Sequence, residues 1–227
     1  MPFIVLEGLD GAGKSTQIKK LINALEERGE RYEYIHFPRF DAPVYGELVA
    51  RFLRGEFGSA DEVDPYIVAL LYAGDRMKAA EQINRWLEEG KYVIIDRYVA
   101  SNIAYQCAKI DDFARKEELR DWIVNLEYAE NGIPKPDVTI FMDVPFSFTE
   151  RKLTGDRKGD DRTYLNGKQD IHEASLDLQQ KVRREYLREA ERDDTIAVIK
   201  CADEQGDMAA PDEIFSRIYN QVKNFID

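Results

Sequence analysis

Two patterns of apolar and polar residues follow one another along the chain. Short apolar runs rich in β-branched and aromatic residues predict buried strands at 3–6, 34–37, 92–95, 138–142 and 196–199. Apolar residues spaced three and four apart predict amphipathic helices, one beginning near Ser15 and others near 63–88, 115–129, 173–191 and 212–225. This alternation predicts an α/β fold, with a parallel sheet covered by helices on both faces.

The carboxyl ends of the predicted strands are where a ligand is expected, because parallel sheets of this kind bind ligands at that edge. The segment after the first strand is Glu7 to Thr16, and the next strand is followed by Pro38 and Arg39. The third and fourth strands are followed by polar residues as well, namely Asp96 with Arg97, and Asp143.

The stretch FIVLEGLDGAGKST, residues 3–16, turns from a strand into a helix through a glycine-rich loop. Gly8, Gly13, Lys14 and Ser15 fit the pattern G-x-x-x-x-G-K-[ST]. In that pattern backbone N–H groups surround phosphate oxygens, the lysine reaches the outer phosphates and the hydroxyl binds magnesium. The dipole of the following helix favours the same anion. The alternative is an ordinary glycine-rich turn, but the flanking strand and helix favour a nucleoside triphosphate site.

Length and composition limit the other possibilities. The 227 residues, 44% of them hydrophobic, suit one domain over 1–227, and a formal net charge of -12 opposes a general nucleic-acid binder. Cys107 and Cys201 lie far apart in sequence and suggest free buried thiols in a reducing compartment. A core strand at the start and the lack of a long apolar run lead us to expect no signal peptide, no membrane span and a cytoplasmic protein.

Individual polar residues near the predicted sheet edge have both a structural and a functional interpretation. Asp96 and Arg97 could form a helix cap or a surface ion pair. Beside a phosphate loop, the acid could instead hold magnesium through water and the arginine could clamp a second phosphoryl group. Arg39, which lies beyond the second strand, could also clamp a phosphoryl group. Tyr72 and Arg76, four apart on a helix, could receive a base and its phosphate, although an aromatic residue at this spacing is more often core.

A charge-dense segment, RKLTGDRKGDDR at residues 151–162, follows the fourth strand. It could be a solvated loop. Phosphoryl transfer, however, needs positive groups around the transferred phosphoryl and the exclusion of water, and a basic lid at about 151–168 would supply both. His36 and His172 have no ligand-spaced partners, so we interpret neither as a zinc ligand, and no Ser-His-Asp arrangement can be proposed.

Taken together, EGLDGAGKST, FPR, LLYAGDR, DRYVASNIAY and MDVP occur in an order that resembles the thymidylate kinase family. The resemblance spans roughly residues 3–190, and DRYVASN followed by a tyrosine is its most specific part. It implies a P-loop kinase fold with a five-stranded parallel sheet flanked by helices, phosphorylation of dTMP by ATP, and a homodimer.

The resemblance also implies a donor site for ATP and Mg²⁺. Lys14 would bridge the outer phosphates, Ser15 and Thr16 would line the phosphate and magnesium site, and Asp96 would lie beside the metal. The implied metal residues are therefore Ser15 and Asp96. The implied ATP-binding residues are Gly8, Leu9, Asp10, Gly11, Ala12, Gly13, Lys14, Ser15 and Thr16.

The same resemblance implies an acceptor site for dTMP. Arg39 and Arg97 would grip its phosphate, Asp10 would lie near the sugar 3′-hydroxyl, and Tyr105 would crowd the 2′ carbon. Tyr72 would stack on thymine, while Arg76 and Asn102 would meet the edge of the base. The implied set is Asp10, Phe37, Arg39, Tyr72, Arg76, Arg97, Asn102, Tyr105 and Tyr164.

One catalytic arginine differs within the family. Some members carry it in the phosphate loop directly after the acid, where this chain has Gly11, and others carry it in the lid. The lid candidates here are Arg151, Arg157 and Arg162. The catalytic set that we predict is Lys14, Asp96, Arg97, Arg157 and Arg162.

Two other functions share parts of these motifs. A kinase for another nucleoside monophosphate or for a deoxynucleoside would keep Lys14 and the lid but would need a different acceptor pocket. Tyr72, Asn102 and Tyr105 argue against that alternative. A nucleotide-dependent switch that hydrolyses slowly would not need acceptor arginines. The sequence also lacks an obvious guanine-reading N-K-x-D segment. The expected partners are thus ATP and dTMP, without nucleic acid or membrane.

Overall fold

The computed structural model describes residues 2–154, 160–167, 170–173 and 175–226, with the side chains of 154 and 160–162 excepted. Within these residues, five strands form a parallel sheet in the order β2-β3-β1-β4-β5. The strands are β1 Phe3–Gly8, β2 Tyr32–His36, β3 Tyr92–Asp96, β4 Val138–Asp143 and β5 Ile196–Lys200. The predicted α/β class and all five predicted strands are confirmed.

Helices connect the strands and cover both faces of the sheet. They are α1 Lys14–Glu27, α2 Tyr45–Leu53, α3 Pro65–Glu88, α4 Val99–Cys107, α5 Phe113–Val124, α6 Phe146–Thr154, α7 Leu176–Ala190 and α8 Pro211–Ile226. A π-helical segment, Asn125–Glu130, continues α5, and a 3₁₀ segment, Asp160–Leu165, lies between α6 and α7.

The core has two main layers because side chains of a strand alternate between the faces of a sheet. Phe3 and Val5 of β1 face the layer formed with α3, α4 and α5, whereas Ile4 and Leu6 face α1 and α8. Every residue of β1 is buried, as expected for the central strand of a parallel sheet. The strand therefore holds the loop that follows it in a fixed position.

The carboxyl ends of β2, β3 and β1 are level with one another. Asp96 at the end of β3 is in register with Leu6 of β1 and with His36 of β2. The residues that follow these strands therefore emerge side by side, as the sequence predicts.

Some helices differ from the sequence prediction. Helices α2 and α4 were not predicted, because each is only nine residues long; all nine residues of α4 are also buried, so that helix lacks the polar face of an amphipathic pattern. The helix predicted at 115–129 begins at Phe113, and after Val124 it continues as the π-helical segment. Helix α4 is the more important omission, since it carries Asn102 and Tyr105.

Both cysteines are free and buried, which confirms that part of the prediction. Burial raises the pKa of each thiol, Cys107 and Cys201, to about 12. They are therefore neutral packing groups at physiological pH. In the described part of the chain, none of the helices has both the length and the apolar character needed to cross a membrane.

Candidate active site

A cleft of about 1080 Å³ opens at the carboxyl ends of β1, β2 and β3. Its walls are the loop after β1, the segment after β2, helices α3, α4 and α6, and parts of 163–173. The predicted site residues that line it are Asp10, Gly11, Ala12, Gly13, Lys14, Ser15, Thr16, Phe37, Arg39, Tyr72, Arg76, Asp96, Arg97, Asn102, Tyr105, Arg151 and Tyr164. Gly8 and Leu9 lie behind this surface, at the base of the loop.

The loop between β1 and α1 depends on glycine at Gly11 and Gly13, whose φ angles are 74° and 83°. A Cβ at Gly11 would also lie 3.0 Å from Cβ of Lys152 on α6. An arginine in place of Gly11 would therefore meet both backbone strain and a close neighbour. Helix α6 instead contributes Arg151 and Lys152 to the cleft.

Lys14 is the first residue of α1, and its side chain folds back over the loop. Its Nζ donates to the carbonyl oxygens of Gly8, at 3.4 Å, and Leu9, at 3.3 Å, and lies 3.9 Å from Oδ1 of Asp96. Burial lowers the pKa of Lys14, and nearby Arg97 acts in the same direction, while Asp96 opposes them. The ammonium group is thus held near the helix N-terminus, where an anion is favoured.

Asp96 is a buried acid that is held ionised. Burial acts to raise its pKa, but the charge of Lys14 and the hydrogen bond from His36 lower it below the ordinary value. His36 Nδ1 lies 3.2 Å from Oδ2, whereas Oδ1 accepts no hydrogen bond from the described residues. One carboxylate oxygen therefore remains available beside the loop.

Arg97 is fixed by its neighbours and its backbone is strained. Its φ of 68° lies in the left-handed region, which is uncommon for a residue other than glycine. Nη2 donates to Oδ1 of Asp10 at 2.7 Å, and Nη1 donates to Oγ of Ser101 at 3.2 Å. The guanidinium also lies over the ring of Tyr105, 5.3 Å from its centroid. The charge is thus already oriented in the cleft.

Asp10 joins the loop to two helices. Besides Arg97, it accepts from the hydroxyl of Tyr105 on α4 at 2.7 Å and from Nε2 of Gln179 on α7 at 2.9 Å. Burial opposes ionisation, but the charges of Arg97 and Lys14 and these hydrogen bonds hold the pKa of Asp10 far below its usual range. Asp10 is therefore a carboxylate throughout the physiological range.

Arg39 and Arg76 are held by two different acids. Asp75, the neighbour of Arg76 on α3, accepts from the backbone N–H of Arg39 at 2.8 Å and from its Nε at 3.0 Å. Arg76 itself is 1% exposed and pairs with the fully buried Glu127 of the π-helical segment. Burial alone would lower the pKa of Arg76, but the charge of Glu127 more than offsets it, so the pKa is raised.

Residues 6–210 match the family model described as "Thymidylate kinase". The chain belongs to the thymidylate kinase family. A thymidylate kinase of Mycobacterium tuberculosis (strain CDC 1551 / Oshkosh) is 35% identical over 185 residues, covering 81% of this chain and 83% of that protein. A probable thymidylate kinase of Pyrococcus abyssi (strain GE5 / Orsay) is 31% identical over 224 residues, covering 98% and 96%.

A solved structure of a thymidylate kinase from Candida albicans has a similar fold. It superposes with a TM-score of 0.73 at 26% sequence identity, over 98% of this chain and 91% of that one. The predicted P-loop kinase fold and the predicted family are both confirmed.

Several residues that shape this site were not predicted from the sequence. Glu7 accepts from the backbone N–H groups of Tyr98 and Ser101 and from the hydroxyls of Ser101 and Tyr186. It thereby joins β1, the start of α4 and α7. The signal was present, since Glu7 is an acid at the end of an otherwise apolar run. Gln179 gave no signal, because a glutamine in a polar helix usually faces water.

Aromatic contacts near the 3₁₀ segment were also missed. Tyr164 stacks on Phe40 with ring centroids 3.7 Å apart, and its hydroxyl donates to Oδ2 of Asp170 at 2.6 Å. His172 stacks on Tyr105, with centroids 5.0 Å apart. His172 was considered only as a metal ligand, and its actual neighbours are aromatic rings.

Of the three predicted lid arginines, the structure describes the side chain of Arg151 only. Arg151 is exposed on α6 and lines the cleft. Arg157 lies outside the described residues, as does the side chain of Arg162. Their assignment as catalytic residues stays a prediction from the sequence.

Proposed function

We propose that this chain transfers the γ-phosphoryl group of ATP to dTMP and releases dTDP and ADP. Membership of the thymidylate kinase family over residues 6–210 carries this proposal. A phosphate oxygen of dTMP forms a bond to the γ-phosphorus while the bond between that phosphorus and the β–γ bridging oxygen breaks. The attacking oxygen is already anionic, so no general base and no covalent enzyme intermediate are required.

The donor end of the cleft is assigned to the loop at 8–16. Its backbone N–H groups and the N-terminus of α1 favour the phosphates of ATP, and Lys14 neutralises charge on the outer ones. Lys14 is held by carbonyl groups of its own loop, which supports this role because the charge needs little reorganisation during transfer.

The acceptor end is assigned to side chains from several elements. Arg39 and Arg97 grip the dTMP phosphate, and each is oriented by an acid, Asp75 and Asp10 respectively. Tyr72, Arg76 and Asn102 receive the base, while Phe37, Tyr105 and Tyr164 complete the pocket. Burial raises the pKa of Tyr72, so this ring stays uncharged against the base. Positioning two anions in line in this way lowers the barrier without a covalent step.

The residues at the donor end also fit Mg²⁺. Asp96 offers a buried carboxylate oxygen that accepts no hydrogen bond from the described residues, and Ser15 offers a hydroxyl in the same cleft. Magnesium prefers oxygen ligands of these kinds and commonly keeps several waters. We therefore assign Asp96 and Ser15 as the residues that hold the ion, which when bound neutralises phosphate charge.

The test is to measure ADP formation from ATP with and without each candidate acceptor. We expect ADP formation to depend on dTMP, to be lower with dUMP and to be very low with UMP. An equal preference for another nucleoside monophosphate would support the broader kinase alternative. A slow rate that no acceptor changes would support the nucleotide-dependent switch.

The homodimer implied by the resemblance stays a prediction, which light scattering of the purified protein would test.

A further inference from the structure

Glu127 lies outside the cleft but holds two residues that line it. Its side chain is fully buried and accepts from Nε of Arg76 at 3.1 and 3.0 Å, from Nη2 of Arg76, and from Nδ2 of Asn102 at 2.9 Å. Arg76 comes from α3 and Asn102 from α4. One carboxylate therefore joins three separate elements behind the base end of the pocket.

The π-helical segment Asn125–Glu130 brings this carboxylate into place. After Val124 the regular α-helix ends, and the backbone N–H of Asn131 bonds to the carbonyl of Leu126, five residues earlier. Such a wider turn changes the direction of the side chains relative to an α-helix, and π-turns are often found at functional sites.

Glu127 and the backbone carbonyl of Ala69 together fix which way the amide of Asn102 points. Nδ2 of Asn102 donates to Glu127 and to the carbonyl of Ala69, the latter at 3.1 Å, so both of its hydrogens are used. Oδ1 is buried and accepts no hydrogen bond from the described residues, although Asn102 lines the cleft. Because neither a carboxylate nor a backbone carbonyl can donate, the opposite amide orientation would lose the bonds to both Glu127 and Ala69. The unpaired atom of this amide is therefore an acceptor, on a residue that lines the cleft.

The same carboxylate leaves Arg76 with donors for the cleft. Glu127 occupies Nε and Nη2 of the guanidinium, whereas Nη1 makes no hydrogen bond within the described residues. Arginine has only donors, so Arg76 presents donors beside the acceptor of Asn102. A base with a carbonyl at C4 and an N–H at N3 complements this pattern. Cytosine has the reverse pattern, with an amino donor at C4 and an acceptor at N3.

We propose that Glu127 is a positioning residue that sets this donor–acceptor pattern and thereby selects thymine or uracil over cytosine. The inference rests on the proposed function, since it needs a pyrimidine nucleotide in the acceptor pocket. A buried ion pair adds little net stability compared with apolar packing, whereas breaking one leaves an unpaired buried charge. We therefore expect Glu127 to contribute mainly by orienting Arg76 and Asn102, and little to the net stability of the fold.

The decisive variant is Glu127→Gln, which keeps the shape of the side chain. With its oxygen in the place of Oε1, the new amide turns its NH₂ group towards Nε of Arg76. In the other orientation the NH₂ group faces Nη2 of Arg76 and Nδ2 of Asn102, so at least one contact becomes donor against donor. The KM for dTMP and the inhibition constant of dCMP competing with dTMP are measured. We expect the KM for dTMP to rise about 10- to 100-fold and the preference for dTMP over dCMP to fall by a similar factor. The kcat should change little, since the base edge contributes equally in the ground and transition states.

Glu189→Gln is a matched control. Glu189 is 5% exposed and pairs with Arg120 through the same two nitrogens, Nε at 3.2 and 3.1 Å and Nη2 at 2.6 Å, away from the cleft. Both variants should lower the melting temperature. Only the Glu127 variant should change the preference between dTMP and dCMP. A Glu127 variant that loses stability like the control and keeps the wild-type preference would overturn the inference.

Glu127→Asp provides a second test if Glu127→Gln does not fold. It keeps the charge but withdraws the carboxylate by one methylene, so it cannot reach both Arg76 and Asn102. We expect a smaller change of preference in the same direction, and an unchanged preference would overturn the inference. A wild-type protein that does not phosphorylate dTMP would instead refute the proposed function, and the inference would fall with it. Wild-type turnover of dTMP with unchanged selectivity in the variants would refute the inference alone.

Discussion

The donor end and the acceptor end of the cleft are built in different ways. The phosphate-binding part of the donor end is one contiguous loop, residues 8–16, which is set by β1 before it and α1 after it; Asp96, assigned to the metal, comes from β3. The acceptor end uses side chains from the segments after β2 and β3, from α3 and α4, and from Tyr164, and several of them are held by acids such as Asp10, Asp75 and Glu127. A local change should therefore act differently at the two ends.

The difference follows from what each end must recognise. Phosphate oxygens can be bound by repeated N–H groups, which any short backbone segment supplies once its glycines allow the turn. A base and a sugar need donors, acceptors and ring faces in fixed places, and single segments rarely supply these. The acceptor end therefore depends on hydrogen bonds between elements that are far apart in sequence.

The largest effect is expected from Lys14→Ala at the donor end. Removing one preorganised charge from a phosphoryl-transfer site can lower kcat about 10²- to 10³-fold. The fold should stay intact, because the side chain contacts mainly its own loop. Steady-state kinetics and circular dichroism would measure both effects.

Lys20→Ala is the control for Lys14→Ala, since Lys20 lies on the same helix and pairs with Asp212 outside the cleft. It should leave kcat unchanged. Near-normal turnover by Lys14→Ala would contradict the assignment of the donor end. If the Lys14→Ala protein does not fold, the donor loop supports the rest of the fold, and its role is not confined to phosphate binding.

A smaller effect, on selectivity, is expected from Tyr105 at the acceptor end. If its ring lies against the 2′ carbon, the 2′-hydroxyl of UMP meets a wall without a hydrogen-bond partner. In Tyr105→Ala we expect the ratio of kcat/KM for UMP to that for dTMP to rise about 10-fold, which is about 1.4 kcal/mol.

Tyr105→Phe separates the ring from its hydroxyl. It keeps the stacking on His172 and loses the hydrogen bond to Asp10. Its ratio of UMP to dTMP should stay near that of the wild type. If Tyr105→Ala loses stability without any change in this ratio, the ring is only part of the core and the acceptor assignment of Tyr105 is wrong.

The smallest effect on catalysis is expected at Asp170, where stability and its pH dependence should change instead. Burial and the charge of Asp10 raise the pKa of Asp170 to about 7, although the hydrogen bond from Tyr164 opposes them. Between these two pH values the carboxyl keeps its proton in the folded state, whereas in the unfolded chain it loses the proton above its ordinary pKa of 3.8. The free energy of unfolding should fall as pH rises from about 4 to 7, by up to about 4 kcal/mol from this group.

Asp170→Asn tests this effect, because an amide can accept from the N–H of His172 and still meet the hydroxyl of Tyr164. Relative to the wild type, the variant should be more stable at pH 8 than at pH 5, as measured by urea unfolding. Asp64→Asn, at the exposed start of α3, controls for replacing an aspartate outside the cleft. Parallel stability curves for Asp170→Asn and the wild type would contradict the prediction.

The sequence predicted more of the donor end than of the acceptor end. Gly8, Gly13, Lys14 and Ser15 follow one another at fixed spacing, so their geometry is local. By contrast, the partners of Arg39 and Arg76, Asp75 and Glu127, could not be recognised. An acid beside an arginine on a helix usually faces water, and Glu127 has no local pattern that marks it as buried.

By itself, the sequence determined the strands, the parallel α/β class, the phosphate loop and the family, because each depends on periodicity or on residues close together in the chain. Only the tertiary structure decided that Asp10 joins Arg97, Tyr105 and Gln179, and that Glu127 accepts a hydrogen bond from Asn102. These contacts span 25 to 169 positions of the chain. Burial then gives them their strength, since an unpaired charge or amide inside the protein is costly and each group must find the partner that the fold brings to it.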